Sequence, residues 1–279
     1  MIEEMSSNGE TISADDVKLM HGDQLSLQSQ DLLPFFLTIP AADGRQAQAL
    51  DILSTWNGVT DREQAAPAIY QAWFTAFGRA LFEDDLHGSL YDEMASRTHT
   101  LLLAEIADDP DAYGHWCDNV LSVPIESCAE TANIALDTAL DDLEERMGAN
   151  MEKWRWGDIH TITFRNATLG SSGISLIENI FNRGPFPTSG SESVIQKTCW
   201  SANIPYQVGC IPALRQVVDL GDLSNSQMIH SVGQSGHPVH THYDDFIDAW
   251  RTFEYHPSNW ERADAEAGNA EVLILEPAS

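Results

Sequence analysis

The sequence predicts an α+β fold, with a helical half (residues 1–150) followed by a β-rich half (residues 151–279). Three observations carry this. Apolar residues recur at helical spacing up to about Gly148; strict alternation replaces that period after Trp154; and a stretch rich in Gly, Ser, Pro and Asn separates the alternating segments. The change of texture near residue 150 marks either two domains or two layers of one.

The first helix starts after Ser13, where Asp16 three residues on can complete a capping box, and runs to Pro34, which should end or kink it. A second begins after Pro67, because Ile69, Trp73, Phe74, Phe77 and Leu81 fall on one face. The third is delimited at both ends. Ser127 and Glu130 form an S-x-x-E cap, Ala132, Leu136, Leu140, Leu143 and Met147 form the stripe, and Gly148 stops it. Strands follow at His160, Ile162 and Phe164, at residues 214–218, and in the short apolar run 272–275. Residues 165–212 read as a long irregular loop, of the functional or heavily packed kind. There is no internal repeat.

Composition excludes several functions. Fourteen Lys plus Arg against 43 Asp plus Glu leave a formal charge of −29, so there is no basic face for nucleic acid or anionic lipid. The 8 Trp, 10 Phe and 6 Tyr supply aromatic surface that a solvated acidic tail would lack, so the chain folds. Such acidity suits a saline habitat and an ordinary acidic protein alike. No apolar run reaches membrane-spanning length, the nearest being residues 32–37, and the acidic N-terminal residues do not read as an export signal.

The densest polar cluster is His237, His240, His242, Asp244 and Asp245, whose imidazoles and carboxylates are zinc or iron ligand types. Its spacing matches no metal motif, and Gly236 with Pro238 favours a hydrogen-bonded structural turn, so no metal ligand is assigned. A serine nucleophile at Ser235 would need a G-x-S-x-G elbow, but Gly236 arrives one residue early. His160 is either a base or, more simply, a satisfied core imidazole. The cysteines form two local pairs, Cys117 with Cys128 and Cys199 with Cys210; disulfides in an exported protein fit better than buried free thiols, and no C-x-x-C occurs. Read from the residues alone, the chain has no catalytic and no cofactor-binding residue.

Its motifs nevertheless resemble a family. Trp156-Gly157-Asp158-Ile159-His160 with Thr163-Phe164, then Asn182-Arg183-Gly184-Pro185-Phe186-Pro187, then Arg215-Gln216-Val217-Val218-Asp219-Leu220, then Gly233-Gln234-Ser235-Gly236-His237-Pro238 with His242-Tyr243-Asp244-Asp245 stand in the order seen near the C-terminus of penicillin acylases. Residues 28–34 after Asp23 and Ser26, Trp56-Asn57-Gly58, and Trp116-Cys117-Asp118 through Glu126-Ser127-Cys128 resemble the helical region of the same large (β) subunit.

The resemblance implies an N-terminal nucleophile hydrolase with an αββα four-layer core. The strands after 154 would belong to that core and residues 13–150 would form its helical flank. Such enzymes cut themselves between Gly and Ser, and the freed serine uses its own α-amine as base. A main-chain N–H and an Asn side chain hold the oxyanion, and the reaction removes acyl groups from penicillin-like, acyl-homoserine lactone or related N-acyl amides. In the family's order the serine, both oxyanion donors and the calcium ligands lie upstream of this chain. The Gly88-Ser89, Gly170-Ser171 and Gly190-Ser191 steps lack the Asn-Asn-Trp type of sequence that follows the cut. Departures occur at Asn166-Ala167-Thr168, His240 and Phe246, where the family usually shows His-Pro, Ser and Gln.

The chain therefore reads as the C-terminal portion of an acylase large subunit, inactive alone and exported by resemblance. Its implied partners are the remainder of that subunit, the smaller α subunit and a small N-acyl substrate. The alternative is a non-catalytic acidic scaffold or binding protein derived from an acylase; an in-frame Gly-Ser-Asn-Asn segment in the upstream DNA would separate the two.

Overall fold

The computed structural model describes residues 11–86, 89–95, 100–201, 204–267, 273 and 275–277. It is a mixed helix and sheet structure divided into two compact units, Asp23–Ile211 and a second made of Met1–Gly22 with Pro212–Ser279. Its helices are α1 (Ala14–His21), α2 (Leu27–Phe36), α3 (Gly44–Ser54), α4 (Ala66–Phe82), α5 (Ser89–Ala95), α6 (Thr100–Asp108), α7 (Pro110–Tyr113), α8 (Cys128–Met147), α9 (Trp156–Ile159), α10 (Ser175–Phe181), α11 (Ile247–Arg251) and α12 (Arg262–Ala267). The strands are β1 (Thr161–Phe164), β2 (Arg183–Pro187), β3 (Leu214–Val217), β4 (Gln227–His230) and β5 (His256–Pro257). No helix among the described residues is long and apolar enough to cross a membrane.

The larger unit is organised by α4 against α8. Pro67 lies in the first turn of α4, where its missing N–H costs nothing, and Ile69, Trp73, Phe77 and Leu81 are fully buried. The expected box caps α8. Ser127 Oγ accepts from the Glu130 N–H at 3.3 Å, and the Glu130 carboxylate accepts from the Ser127 N–H at 2.8 Å. Its stripe of Ala132, Leu136, Leu140 and Leu143 is buried against α4, and Gly148 ends it at φ 82°, a left-handed conformation that favours glycine. On the outer side of α8, Arg45 bonds Asp137 and Asp141, each at 2.5 Å, gathering acids that would otherwise repel one another.

The single helix expected from Ser13 to Pro34 is two. Ser13 caps α1 with the full box, Asp16 N–H to Ser13 Oγ and Ser13 N–H to Asp16 Oδ2, but Gly22 closes that helix. Ser26 then starts α2, its Oγ accepting from the Ser29 N–H at 3.1 Å. Pro34 sits inside α2, in the last turn, and the helix stops two residues later.

Strand β1 pairs antiparallel with β2, Ile162 opposite Phe186, and the alternation expected to include His160 starts one residue after it. The stretch 165–212 is less irregular than its composition suggests, since it holds α10, β2 and a two-stranded bridge between Cys199 and Cys210. In the second unit β4 lies between β3 and β5, all antiparallel. Of the strand expected at 272–275, Val272 and Ile274 fall outside the described residues, and Leu273 and Leu275 are exposed.

Both cysteine pairs are bridged, with Cα–Cα separations of 4.9 Å for Cys117–Cys128 and 5.2 Å for Cys199–Cys210, and no cysteine is free. Each closes a loop with a sequence separation of 11. In the chain-entropy model that is worth slightly under ~3 kcal/mol. Alkylation of the native protein should label no thiol before reduction and four after it. Reduction should lower the urea-unfolding free energy by about 2–3 kcal/mol per bridge. Four labelled thiols without reductant would overturn the pairing.

Candidate functional site

Helix α9 is a single turn that delivers His160 to the interior of the larger unit. Gly157 lets it approach its neighbours, because a Cβ there would stand 3.0 Å from the Cβ atoms of both Arg62 and Pro187. The Trp156 and Gly157 N–H groups donate to the carbonyls of Gln64 and Arg62, each at 2.8 Å, and the Trp156 indole N–H donates to the Gly190 carbonyl at 3.0 Å. His160 stacks on Trp156 with ring centroids 4.3 Å apart, and Trp200 meets both rings edge-on.

Both imidazole nitrogens are used. Nδ1 lies 2.6 Å from the Tyr206 carbonyl oxygen, which can only accept, so Nδ1 carries the proton. Nε2 then accepts from the Thr198 hydroxyl at 2.8 Å. Tyr206, left-handed at φ 70°, is anchored through its hydroxyl to Asp142 at 2.8 Å. The Cys199–Cys210 bridge spans the segment between the two partners of the imidazole. Burial pushes His160 down to about 3, against a small upward pull from the Tyr206 carbonyl. The imidazole is therefore neutral at ordinary pH. His160 and Thr198 form a hydroxyl–base pair, but at 0% and 1% exposure they reach no substrate. His160 is the satisfied core residue of the simpler sequence reading.

The His and Asp cluster lies in turns of the second unit. His242 Nδ1 bonds Asp245 Oδ2 at 2.7 Å, the His242 N–H donates to His240 Nδ1 at 3.0 Å, and the His240 N–H donates to the His237 carbonyl at 2.9 Å. Gly233 is required where it stands, since a Cβ would collide with the His242 carbonyl and the Asp245 carboxylate. Ser235 Oγ accepts from the His237 N–H at 3.1 Å, so it serves the turn. Among the described residues no three His, Cys, Asp or Glu side chains are placed to hold a metal.

The three Gly-Ser steps are dispersed. Ser89 opens α5 and is exposed, with Gly88 outside the described residues; Ser171 is exposed in a turn; Ser191 is fully buried. Ser191 Oγ accepts from the Ser193 N–H at 3.4 Å.

Sequence reasoning missed Arg215. It points inward from β3, its guanidinium carbon 4.1 Å from the Trp250 ring and 4.2 Å from the Phe253 ring, and Nη1 donates to the Trp250 carbonyl at 2.5 Å. Burial lowers it to about 10, still fully charged at neutral pH. Phe253 takes the left-handed φ of 59°. Nearby, His21 Nδ1 and the Tyr255 hydroxyl share a hydrogen bond at 2.7 Å, and Lys18 donates to Gln227 at 3.2 Å. In the sequence Arg215 stood only as the first residue of one family motif and in an alternating strand, with no role attached to it.

The recurrent motifs thus serve folding here: a packed indole and imidazole, glycines under close contact, and self-bonded turns. Their order is matched elsewhere. An acyl-homoserine lactone acylase QuiP of Pseudomonas aeruginosa is 27% identical over 254 residues, covering 84% of this chain and 29% of that protein. Its counterpart in Pseudomonas fluorescens is 25% identical over 226 residues, covering 77% of this chain and 27% of that protein. The chain thus spans less than a third of the length of these relatives. Among solved structures, thermostable penicillin G acylase from Alcaligenes faecalis has the same fold at a TM-score of 0.53 and 16% identity, covering 99% of this chain and 52% of that one. The penicillin amidase family model matches residues 1–267, and the chain belongs to that family.

Proposed function

We propose that this chain is the C-terminal portion of an acylase large subunit, working in an enzyme that removes acyl groups from N-acyl amides. The observation that carries the reading is a family match over nearly the whole chain combined with coverage of under a third of the acyl-homoserine lactone acylases. In this reading the nucleophilic serine, its α-amine base and the oxyanion donors come from the polypeptide that precedes this segment. A hydroxyl needs an adjacent base to attack an amide, and the developing oxyanion needs aimed donors. The one hydroxyl–imidazole pair described above, Thr198 with His160, is sealed from solvent, which supports a framework role for this segment. Residues 1–150 would form the helical flank of an αββα core and residues 151–279 would contribute strands to it. The two disulfides support an oxidising, extracytoplasmic compartment.

The test is turnover of a chromogenic N-acyl amide. Purified 1–279 should show none, and activity should appear when the preceding segment and the small subunit are supplied. Turnover by 1–279 alone, abolished by changing a serine within it, would overturn the proposal.

A further inference from the structure

The two bridges stand in opposite surroundings. Cys117 and Cys128 are 1% and 4% exposed, and the Cys117 carbonyl accepts from the buried Thr131 hydroxyl at 2.6 Å. Cys210 is exposed and Cys199 half-buried, and Ser201, Gln207 and Gly209 between them are exposed as well. Thiol–disulfide exchange requires a thiolate to reach one sulfur of the bridge, so access decides which bridge reacts. A bridge inside the core waits for the structure around it to open.

The exposed bridge ties together the wall of the His160 interior. Thr198, whose hydroxyl donates to Nε2, immediately precedes Cys199, and Trp200, edge-on to both His160 and Trp156, immediately follows it. Tyr206, whose carbonyl accepts from Nδ1, lies four residues before Cys210. Besides the bridge, the two ends share backbone hydrogen bonds, Cys199 N–H to the Cys210 carbonyl at 3.1 Å and Gly209 N–H to the Cys199 carbonyl at 2.7 Å. At an exposed edge water competes for such bonds, whereas it does not compete for the covalent tie.

We propose that Cys199–Cys210 is a thiol-exchange site for small uncharged thiols, and that its cleavage opens the His160 interior to solvent. The thiolate attacks Sγ of Cys210, the more exposed partner; the S–S bond breaks, and Cys199 leaves as a thiolate that takes a proton from water. A second thiol attacks the mixed disulfide, which frees the Cys210 thiol and releases the reagent as its own disulfide. Two thiols thus supply the two electrons that reduce the bridge. The uncharged class follows from the formal charge of −29, which repels anionic thiols. The inference is independent of the acylase reading and survives its failure.

The test treats native 1–279 with limiting 2-mercaptoethanol, quenches with iodoacetamide, adds diethyl pyrocarbonate, and maps the peptides by mass spectrometry without further reduction. Mercaptoethanol should appear on Cys210 and the alkyl group on Cys199 at least about tenfold sooner than any label on Cys117 or Cys128. His160 should gain a carbethoxy group only in molecules cleaved in this way, while the exposed His237, His240 and His242 take the reagent from the start. Equal rates at the two bridges, or the adduct on Cys199, would overturn the exchange site. Cleavage that leaves His160 protected would overturn the opening. Cys199→Ser with Cys210→Ser should make His160 reactive with no thiol added, and protection there would count against the opening in the same way. If that variant does not fold, the wild-type map decides alone.

Discussion

Trp73→Ala should cost about 3–5 kcal/mol of stability, the range for removing a large aromatic side chain from a packed core. Trp73 is fully buried at the α4–α8 contact, its ring stacked on Phe36 at 4.0 Å and 9°, and its indole N–H donates to the Ala132 carbonyl at 2.7 Å. Phe77 meets the same Phe36 ring edge-on at 5.6 Å, so the cavity would open at the centre of an aromatic cluster. Native domains are stable by only ~5–15 kcal/mol, so the loss should show as a large fall in the urea midpoint. Trp73→Phe should recover much of it, since the stacking surface survives and only the indole bond is lost. A loss below about 1 kcal/mol for the Ala variant would mean that the core does not centre on this residue.

Acid should destabilise the protein through His160 before most carboxylates titrate. The folded imidazole titrates near 3, while in the unfolded chain it returns to about 6.5. Between those values the unfolded state binds one proton more than the folded state, so stability rises with pH. It is fully present above about 6.5 and falls by about 1.4 kcal/mol per pH unit as the pH drops towards 3. Between pH 6.5 and 5 this amounts to about 2 kcal/mol, in a window above the ordinary carboxylate range. His21, also lowered by burial and by Arg215, contributes in the same direction. Urea unfolding of wild type and His160→Gln at pH 7 and pH 5 checks this: the variant should be weaker at pH 7 and lose less on acidification. Equal losses in the two proteins would show that the imidazole is not held neutral.

Local rules made the helix boundaries legible where the partners are neighbours in sequence. Ser127 with Glu130, Ser13 with Asp16, and Pro67 at the start of α4 each act within four residues. They failed where the deciding contact is distant. His160 is recognisable as a core imidazole, but its partners Thr198 and Tyr206 lie 38 and 46 residues away. Helix α3 passed unnoticed because it buries only Gln46, Ala49 and Leu53, too sparse an apolar face for periodicity to register. In β3 the alternation is real but its inward residues are Arg215 and Val217, with Leu214 outside, because two aromatic rings solvate the guanidinium. The order of family motifs was legible and is matched by the family as a whole; the chemistry was not, since none of those motifs forms an accessible reacting group here.

The second unit joins both ends of the described chain, and this sets an order of events during synthesis. Helix α1 leaves the ribosome roughly 190 residues before β3 and β4 exist, although Lys18 and His21 find their partners at Gln227 and Tyr255. At ~5–20 residues per second the helix waits roughly 10–40 s. With only eight residues it is too short to persist alone during that time. Asp23–Ile211 can complete its own folding within the same interval, because all of its residues have by then emerged. The last strands therefore close a chain loop of roughly 190 residues, and the entropic cost of closure falls on the final step of folding.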